Sequence, residues 1–251
     1  MSNDKEIFSK FPLETEFEYL GRVLVETRPV SYSGLNMYDT CPRSFKYKYI
    51  DKEPVKNPPT RETAPKMFRG SDIHKSIEDF LKGQTNKVHA EILQHNSFIT
   101  ELRTKGATAE DEFAFDKTWS RVAFDDPIAI IRGKFDAMIC KENSLVIYEW
   151  KTGKVYPEHK IQRNLYGLAG LLLYPEYKKV IVQTYYLDLD LKRKANTSSK
   201  SEYGRNQLLS YQWLWERKIN KVQPPQPYPM RPGWKCGYCD YSKNRGGKCP
   251  N

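Results

Sequence analysis

The 251-residue chain has no apolar run approaching the ~18 residues that a membrane-spanning helix needs. The stretch "LYGLAGLLLYP" is far too short to cross a bilayer, so no membrane partner is expected. The opening "MSNDKEIFSKFPLE" has no basic start followed by an apolar block, and therefore does not read as a secretory signal. A soluble, cytoplasmic protein is the expectation. No G-x-x-x-x-G-K-[ST] pattern is present, which excludes a P-loop motor on this chain. No internal repeat is visible. Acid is in deficit: 31 Asp and Glu stand against 41 Lys and Arg, giving a net charge of +10. Such an excess favours a polyanionic partner, because phosphates neutralised by Lys and Arg release counterions. Cysteine is scarce and odd in number: Cys41, Cys140, Cys236, Cys239 and Cys249. Without a secretory signal this argues against structural disulfides and for a metal or cluster.

What is present is a core-forming chain, 39% hydrophobic and 13% aromatic. Residues 1–30 read as an extension without periodicity. "SYSGLNMYDTCPRSFKYKYI" follows, with Ser33 placed to cap a short helix, and the proline-rich 52–66 reads as a loop. "GSDIHKSIEDFLKG" predicts a helix capped by Ser71, carrying an apolar stripe of Ile73, Ile77, Phe80 and Leu81, and ended by Gly83. Residues 87–108 look helical. Strands are expected at 110–116, 128–140 and 145–151, then a helix over "EHKIQRNLYGLAGLLLYP". A strand over "KKVIVQTYYLDLDL" follows, with Val180, Val182, Thr184 and Tyr186 on one side. "RKANTSSKSEYG" reads as a loop, and "NQLLSYQWLWERKI" has apolar residues at 208, 211, 215 and 219, a helical spacing. "QPPQPYPMRPG" is a stiff linker into a cysteine-rich end. An α/β layer around a mixed sheet is the simplest architecture.

The hairpin 136–153, "DAMICKENSLVIYEWKTG", carries the sharpest chemistry. Alternation puts Leu145, Ile147, Glu149 and Lys151 on one strand face. An even-numbered turn in "KENS" opposes Cys140 to Leu145, Met138 to Ile147 and Asp136 to Glu149. Opposed carboxylates roughly 5 Å apart at Cβ repel unless a cation sits between them. Mg²⁺ or Mn²⁺, which prefer oxygen ligands, suit that position. Lys151 on the same face could orient a water or stabilise charge developing on a phosphate. Taken alone, the hairpin fits a solvated salt-bridge ladder equally well. Val146, Tyr148 and Trp150 are expected in the core on the opposite face, and Cys140 as a small buried hydrophobe.

With its neighbours the hairpin resembles the RecB-like branch of the PD-(D/E)xK nuclease superfamily. The branch carries G-x-x-D, (D/E)-x-K-T-G and a Q-x-x-x-Y helix. Here they read Gly133-Lys134-Phe135-Asp136, Glu149-Trp150-Lys151-Thr152-Gly153 and Gln162 to Tyr166, in the expected order. An upstream helical histidine after a glycine is matched by Gly70 and His74. The resemblance covers residues 31–250. It implies a restriction-endonuclease-like core over 70–222, preceded by a 31–69 segment with the first cluster cysteine and followed by a 223–251 cysteine-rich clip. It further implies His74, Asp136 and Glu149 as metal ligands, with the Trp150 carbonyl as a backbone ligand and Lys151 as the catalytic lysine. Gln162 and Tyr166, one helical turn apart, would reach the site together as substrate-binding residues. An additional acid is expected from Glu110 or Glu112, with Glu110 preferred.

"KCGYCDYSKNRGGKCP" spaces Cys236-x-x-Cys239 and then Cys249. Three thiolates there could hold Zn²⁺ with a fourth ligand from elsewhere, Cys41 being the obvious one. Nucleases of the AddB and CRISPR-adaptation types are similar in holding a [4Fe-4S] cluster on one early and three late cysteines. The Cys239–Cys249 spacing is longer than in those relatives, which keeps Zn²⁺ as the alternative. Arg43, Lys46, Lys48, Lys52 and Lys56 interleave with Phe45, Tyr47 and Tyr49. That pattern suits a single-stranded nucleic-acid groove or, equally, a solvated basic face.

The resemblance thus implies a metal-dependent DNA nuclease, an exonuclease on single strands, with 5′ to 3′ polarity among the options. Its setting would be repair, recombination or phage DNA processing in a bacterial or phage-infected cell, with a separate helicase or recombination protein as partner. Two alternatives stand beside it: a non-cleaving nucleic-acid-binding or assembly subunit, and a zinc-dependent DNA-binding module. The latter leaves His74, Asp136, Glu149 and Lys151 unexplained.

Overall fold

Alternating and apolar segments assemble into one five-stranded sheet in a computed structural model that describes residues 28–188, 198–223 and 226–251. The strands are β1 (Thr108–Phe115), β2 (Ile131–Lys141), β3 (Ser144–Lys151), β4 (Lys179–Tyr186) and β5 (Ser198–Gly204), side by side in that order. All neighbours are antiparallel except β3 and β4. That parallel pair requires a crossover, which is the helix His159–Leu173. In chain order the helices are α1 (Tyr32–Thr40), α2 (Pro42–Phe45), α3 (Pro65–Leu81), α4 (Asn96–Thr104), α5 (His159–Leu173) and α6 (Leu208–Asn220). No helix among the described residues is long and apolar enough to cross a membrane.

The sheet separates two cores. Leu145 and Ile147 of β3, Val180 and Val182 of β4, and Leu165, Leu168 and Leu171 of α5 belong to one. Val146, Tyr148 and Trp150 point the other way, onto Ile73, Ile77 and Phe80 of α3 and Ile99 and Leu102 of α4. The α5 helix approaches the strands closely because it carries glycines: a Cβ on Gly170 would lie 2.9 Å from Ile147 Cδ1, and one on Gly167 only 2.2 Å from Tyr203 Cδ2. Residues on both sides of the 70–222 span share the first apolar cluster, including Leu35, Tyr38 and Phe45 before it and Tyr228 after it.

Several local expectations are corrected. α3 starts at Pro65, where its missing N–H is no loss, so the proline-rich loop ends earlier and residue 70 lies inside a helix. Ser71 is consequently not a cap; its hydroxyl donates to the Met67 carbonyl at 3.3 Å. Ser31, not Ser33, caps α1, accepting from the Gly34 nitrogen at 3.2 Å. The 87–108 helix is shorter than its periodicity suggests: a 3₁₀ segment (Ala90–His95) leads into α4, and Thr108 already begins β1. Within the expected loop "RKANTSSKSEYG", Ser198–Gly204 forms β5. Its polar composition suits an edge strand, which needs a partner rather than a buried face. Cys140 is exposed, because it sits one step from the hairpin turn, beyond the covering helices. The expectations for 1–27, 189–197 and 224–225 lie outside the described residues.

Candidate active site

The β2–β3 turn is two residues, Glu142 and Asn143, since Lys141 pairs with Ser144. Cys140 therefore pairs with Leu145 and Met138 with Ile147, and the ladder ends at Ala137 and Tyr148. One step further, Asp136 replaces the next ladder bond with its side chain: Oδ2 accepts from the Trp150 backbone nitrogen at 2.7 Å. Its other oxygen, Oδ1, lies 3.4 Å from His74 Nδ1 on α3. The helix passes close to the end of β3, where a Cβ on Gly70 would lie 3.0 Å from Thr152 Oγ1.

Glu149 is 4% exposed. Its Oε1 receives two donors, Lys151 Nζ at 2.5 Å and Gln162 Nε2 at 2.8 Å. Gln162 also donates to the Tyr166 hydroxyl at 3.2 Å. Glu149 Oε2 and Gln162 Oε1 are buried without any hydrogen-bond partner. A buried carboxylate oxygen in that condition is costly and demands an explanation. Burial and the neighbouring Asp136 charge push the Glu149 carboxyl up to about 7, against the pull of Lys151. For His74, burial opposes the charged form, but hydrogen bonding and the Asp136 charge prevail and raise it. Burial likewise opposes the Lys151 ammonium, and Glu149 and Asp136 reverse the balance. Burial and the paired carboxylates Asp136 and Glu149 together set these perturbations.

Glu110 stands across from Asp136, between the paired Ala109–Ala137 and Asp111–Phe135. It adopts a φ of 59°, a left-handed conformation that costs a non-glycine residue energy and recurs at functional sites. Opposite it, β2 loses one step of alternation: Phe135 and Met138 share one core, while Ala137 lies in the other. Burial, followed by the Asp136 and Glu78 charges, raises the Glu110 carboxyl. Glu112 instead pairs with Lys134 at 2.7 Å.

These groups open on one cavity of about 680 Å³, lined by Glu110, Asp136, Glu149, Lys151, Gln162 and Tyr166. His159, Tyr156 and the α1 residues Tyr32, Ser33 and Asn36 also line it, none of which the motif spacing singles out. Arg43 and Lys46 do not line it. Arg43 Nε donates to the Tyr228 carbonyl at 2.8 Å, and Lys46 pairs with Asp51 at 2.5 Å, so both are engaged within the chain.

The donor set fits a hard divalent cation in part. Asp136 Oδ1 and Glu149 Oε2 are the carboxylate oxygens left free of strong donors, and Mg²⁺ characteristically takes one or two carboxylates and keeps several waters. Among the described residues, no three or more His, Cys, Asp or Glu side chains form a ready-made metal cage. A cation here would therefore depend on backbone and water oxygens as well.

A second cavity, of about 670 Å³, is lined by Cys41, Cys236, Cys239 and Cys249 together. All four are free thiols. The Cys239 thiol lies 3.7 Å from Ser44 Oγ, and Cys236 Sγ accepts from the Gly233 nitrogen at 3.4 Å. The four thiols thus line one cavity, although among the described residues no three of them stand together as a ready-made metal site.

A family model described as the PD-(D/E)XK nuclease superfamily matches residues 29–243. Among solved structures, the chain is similar to the crystal structure of SSO0001, with 22% identity over 93% of this chain and 91% of that one, and a TM-score of 0.46. A "Putative exonuclease" from Eubacterium rectale is similar at 11% identity, covering 83% and 84% of the two chains, with a TM-score of 0.40. No curated protein matches the chain.

Proposed function

The chain belongs to the PD-(D/E)XK nuclease superfamily, and from that premise we propose that it is a metal-dependent DNA exonuclease acting on single strands. The observation that carries the metal dependence is the buried, partnerless Glu149 Oε2 in the cavity that also receives Asp136 and Lys151. Nucleases of this superfamily generally use divalent metals such as Mg²⁺ or Mn²⁺. Asp136, Glu149, His74 and the Trp150 carbonyl would hold the cation. Bound there, it would acidify a coordinated water and neutralise charge on the scissile phosphate.

The remaining work falls to the chain's own side chains. Gln162 donates to Glu149 Oε1, and Oε2 is left without a donor. Tyr166 braces Gln162 from one helical turn away. Lys151 places a positive charge where negative charge grows on the phosphate oxygens in the transition state. Glu110, across from Asp136, supplies a further carboxylate for a second metal or a water. The preference for single-stranded ends rests on the RecB-like motif order, with repair, recombination or phage DNA processing as its setting. The four-cysteine cavity is read as a [4Fe-4S] site, since four thiols line it and no histidine does; Zn²⁺ is the alternative occupant.

The test is cleavage of end-labelled single-stranded DNA with Mg²⁺ or Mn²⁺, beside a closed circular single strand. Linear DNA should shorten to mononucleotides while the circle survives. Asp136→Ala and Lys151→Ala should abolish cleavage without unfolding the protein. Wild-type rates in either variant would sink the assigned site, and a nicked circle would replace exonuclease with endonuclease.

A further inference from the structure

The two cavities are neighbours along one helix. Ser33 and Asn36 line both, and Met37 and Thr40 continue the same α1 face into the cysteine cavity. The spacing 33, 36, 37, 40 is one helical stripe, so the α1 surface joins the cysteine cavity to the active site.

At the far rim of that stripe stand two bare aromatic rings. Trp234 is 77% exposed and Tyr238 is 75% exposed, and they meet edge to face with centroids 6.2 Å apart. Both line the cysteine cavity. Large rings left this open, side by side, characteristically mark a contact surface. The charge around them has one sign. Between residues 226 and 251 five basic residues stand against one acid, Asp240. Arg245 lies 3.5 Å from Asp240, and Lys248 pairs with Glu53. Arg231 and Lys235, which flank Trp234, bond only neutral groups of α1: the Asp39 carbonyl at 2.6 Å and Thr40 Oγ1 at 3.4 Å. Their charges have no carboxylate partner among the described residues.

Exposed rings beside cations without a carboxylate partner match the chemistry of unpaired bases on a phosphate chain, and Lys235 Nζ already lies over the Trp234 ring, 5.8 Å from its centroid. A duplex offers the phosphates but hides the base faces. We infer that Trp234 and Tyr238, with Arg231 and Lys235, form a stacking platform that receives single-stranded DNA and feeds it along α1 into the active cavity. This rests on the nuclease reading of that cavity and assigns its strand preference to named residues. The basic–aromatic run at Arg43–Tyr49 offers fewer open rings: Phe45 is buried, Tyr47 packs on Tyr241, and Lys46 pairs with Asp51.

The experiment measures anisotropy of a fluorescein-labelled oligothymidylate and of a labelled duplex, using the full chain in a Lys151→Ala background with Mg²⁺ present. Trp234→Ala with Tyr238→Ala should weaken single-strand binding about tenfold, leave duplex binding unchanged, and leave the melting temperature intact, since both rings are exposed. Trp234→Phe should retain most of the affinity. Unchanged single-strand affinity in the double variant, or equal losses on single strand and duplex, would overturn the platform. An oligonucleotide that wild-type protein binds through these rings but leaves uncut overturns the nuclease reading while supporting the platform.

Discussion

Asp136 and Trp150 are joined by a 2.7 Å hydrogen bond from backbone nitrogen to carboxylate, one step beyond the last ladder pair of the β2–β3 hairpin. The contact serves two ends at once. It closes the hairpin where the backbone ladder stops, and it turns Oδ1 toward His74 and the cavity.

Substitutions at Asp136 should separate those roles. Asp136→Asn keeps an oxygen for the Trp150 nitrogen, whereas Asp136→Ala leaves that donor without its partner, at a cost of about 1–3 kcal/mol. Urea melts of metal-free protein should therefore rank Asn above Ala, while both variants are inactive. Equal stabilities would show that the hydrogen bond does not hold the hairpin.

Gln162 donates to Glu149 Oε1 at 2.8 Å, so its removal tests whether it positions that carboxylate. Gln162→Ala should lower metal affinity by about 10–100-fold, the usual effect of removing a group that orients a ligand. The readout is the Mn²⁺ concentration giving half-maximal cleavage, with the saturated rate falling less. A saturated rate that collapses at unchanged metal demand would place Gln162 in the chemistry itself.

Asp188 anchors the turn that follows Lys151. It accepts from the Gly153 nitrogen at 2.7 Å and pairs with Arg69 of α3 at 2.8 Å. Arg69 foremost, aided by the Gly153 bond, holds its carboxyl below the ordinary 3.8. A carboxyl lowered in the folded state stabilises fully above the unfolded value, and that stability fades as pH falls through the folded one. The melting-temperature gap between wild type and Asp188→Asn should thus be complete at neutral pH and narrow in acid below 3.8. A gap that is flat into that acid range would mean the charge contributes nothing.

For the cysteines, protein purified without oxygen should show a broad absorbance near ~400 nm from iron–sulfur charge transfer. Cys41→Ala should remove it and lower the melting temperature, because the early and late segments then lose their shared ligand. Stoichiometric zinc with no colour would assign the site to Zn²⁺.

The pairing of Cys140 with Leu145 and of Met138 with Ile147 is legible in the sequence, because alternation and a short even turn are local rules. The core assignments of Val146, Tyr148 and Trp150 were legible for the same reason. β5 was not: "SSKSEYG" has no apolar pattern beyond Tyr203, and becomes a strand only because the β4 edge offers it partners. The helix starts at Ser31 and Pro65 were missed because several residues nearby were equally competent to begin a helix.

By itself, then, the sequence determined the register of the hairpin from the Met138–Ile147 pair to the turn, and the core-facing side of β3. Those follow from residue type, period and spacing; the roles of Gln162, Tyr166 and Glu110 rest on the family resemblance. Tertiary structure alone decided that Glu110 takes a φ of 59° opposite Asp136 and that α1 adjoins both cavities. It likewise decided that Trp234 and Tyr238 stay exposed while Phe45 is buried, Tyr47 packs on Tyr241 and Lys46 pairs with Asp51. Which ring is covered depends on what the rest of the chain brings against it, and no local pattern carries that information.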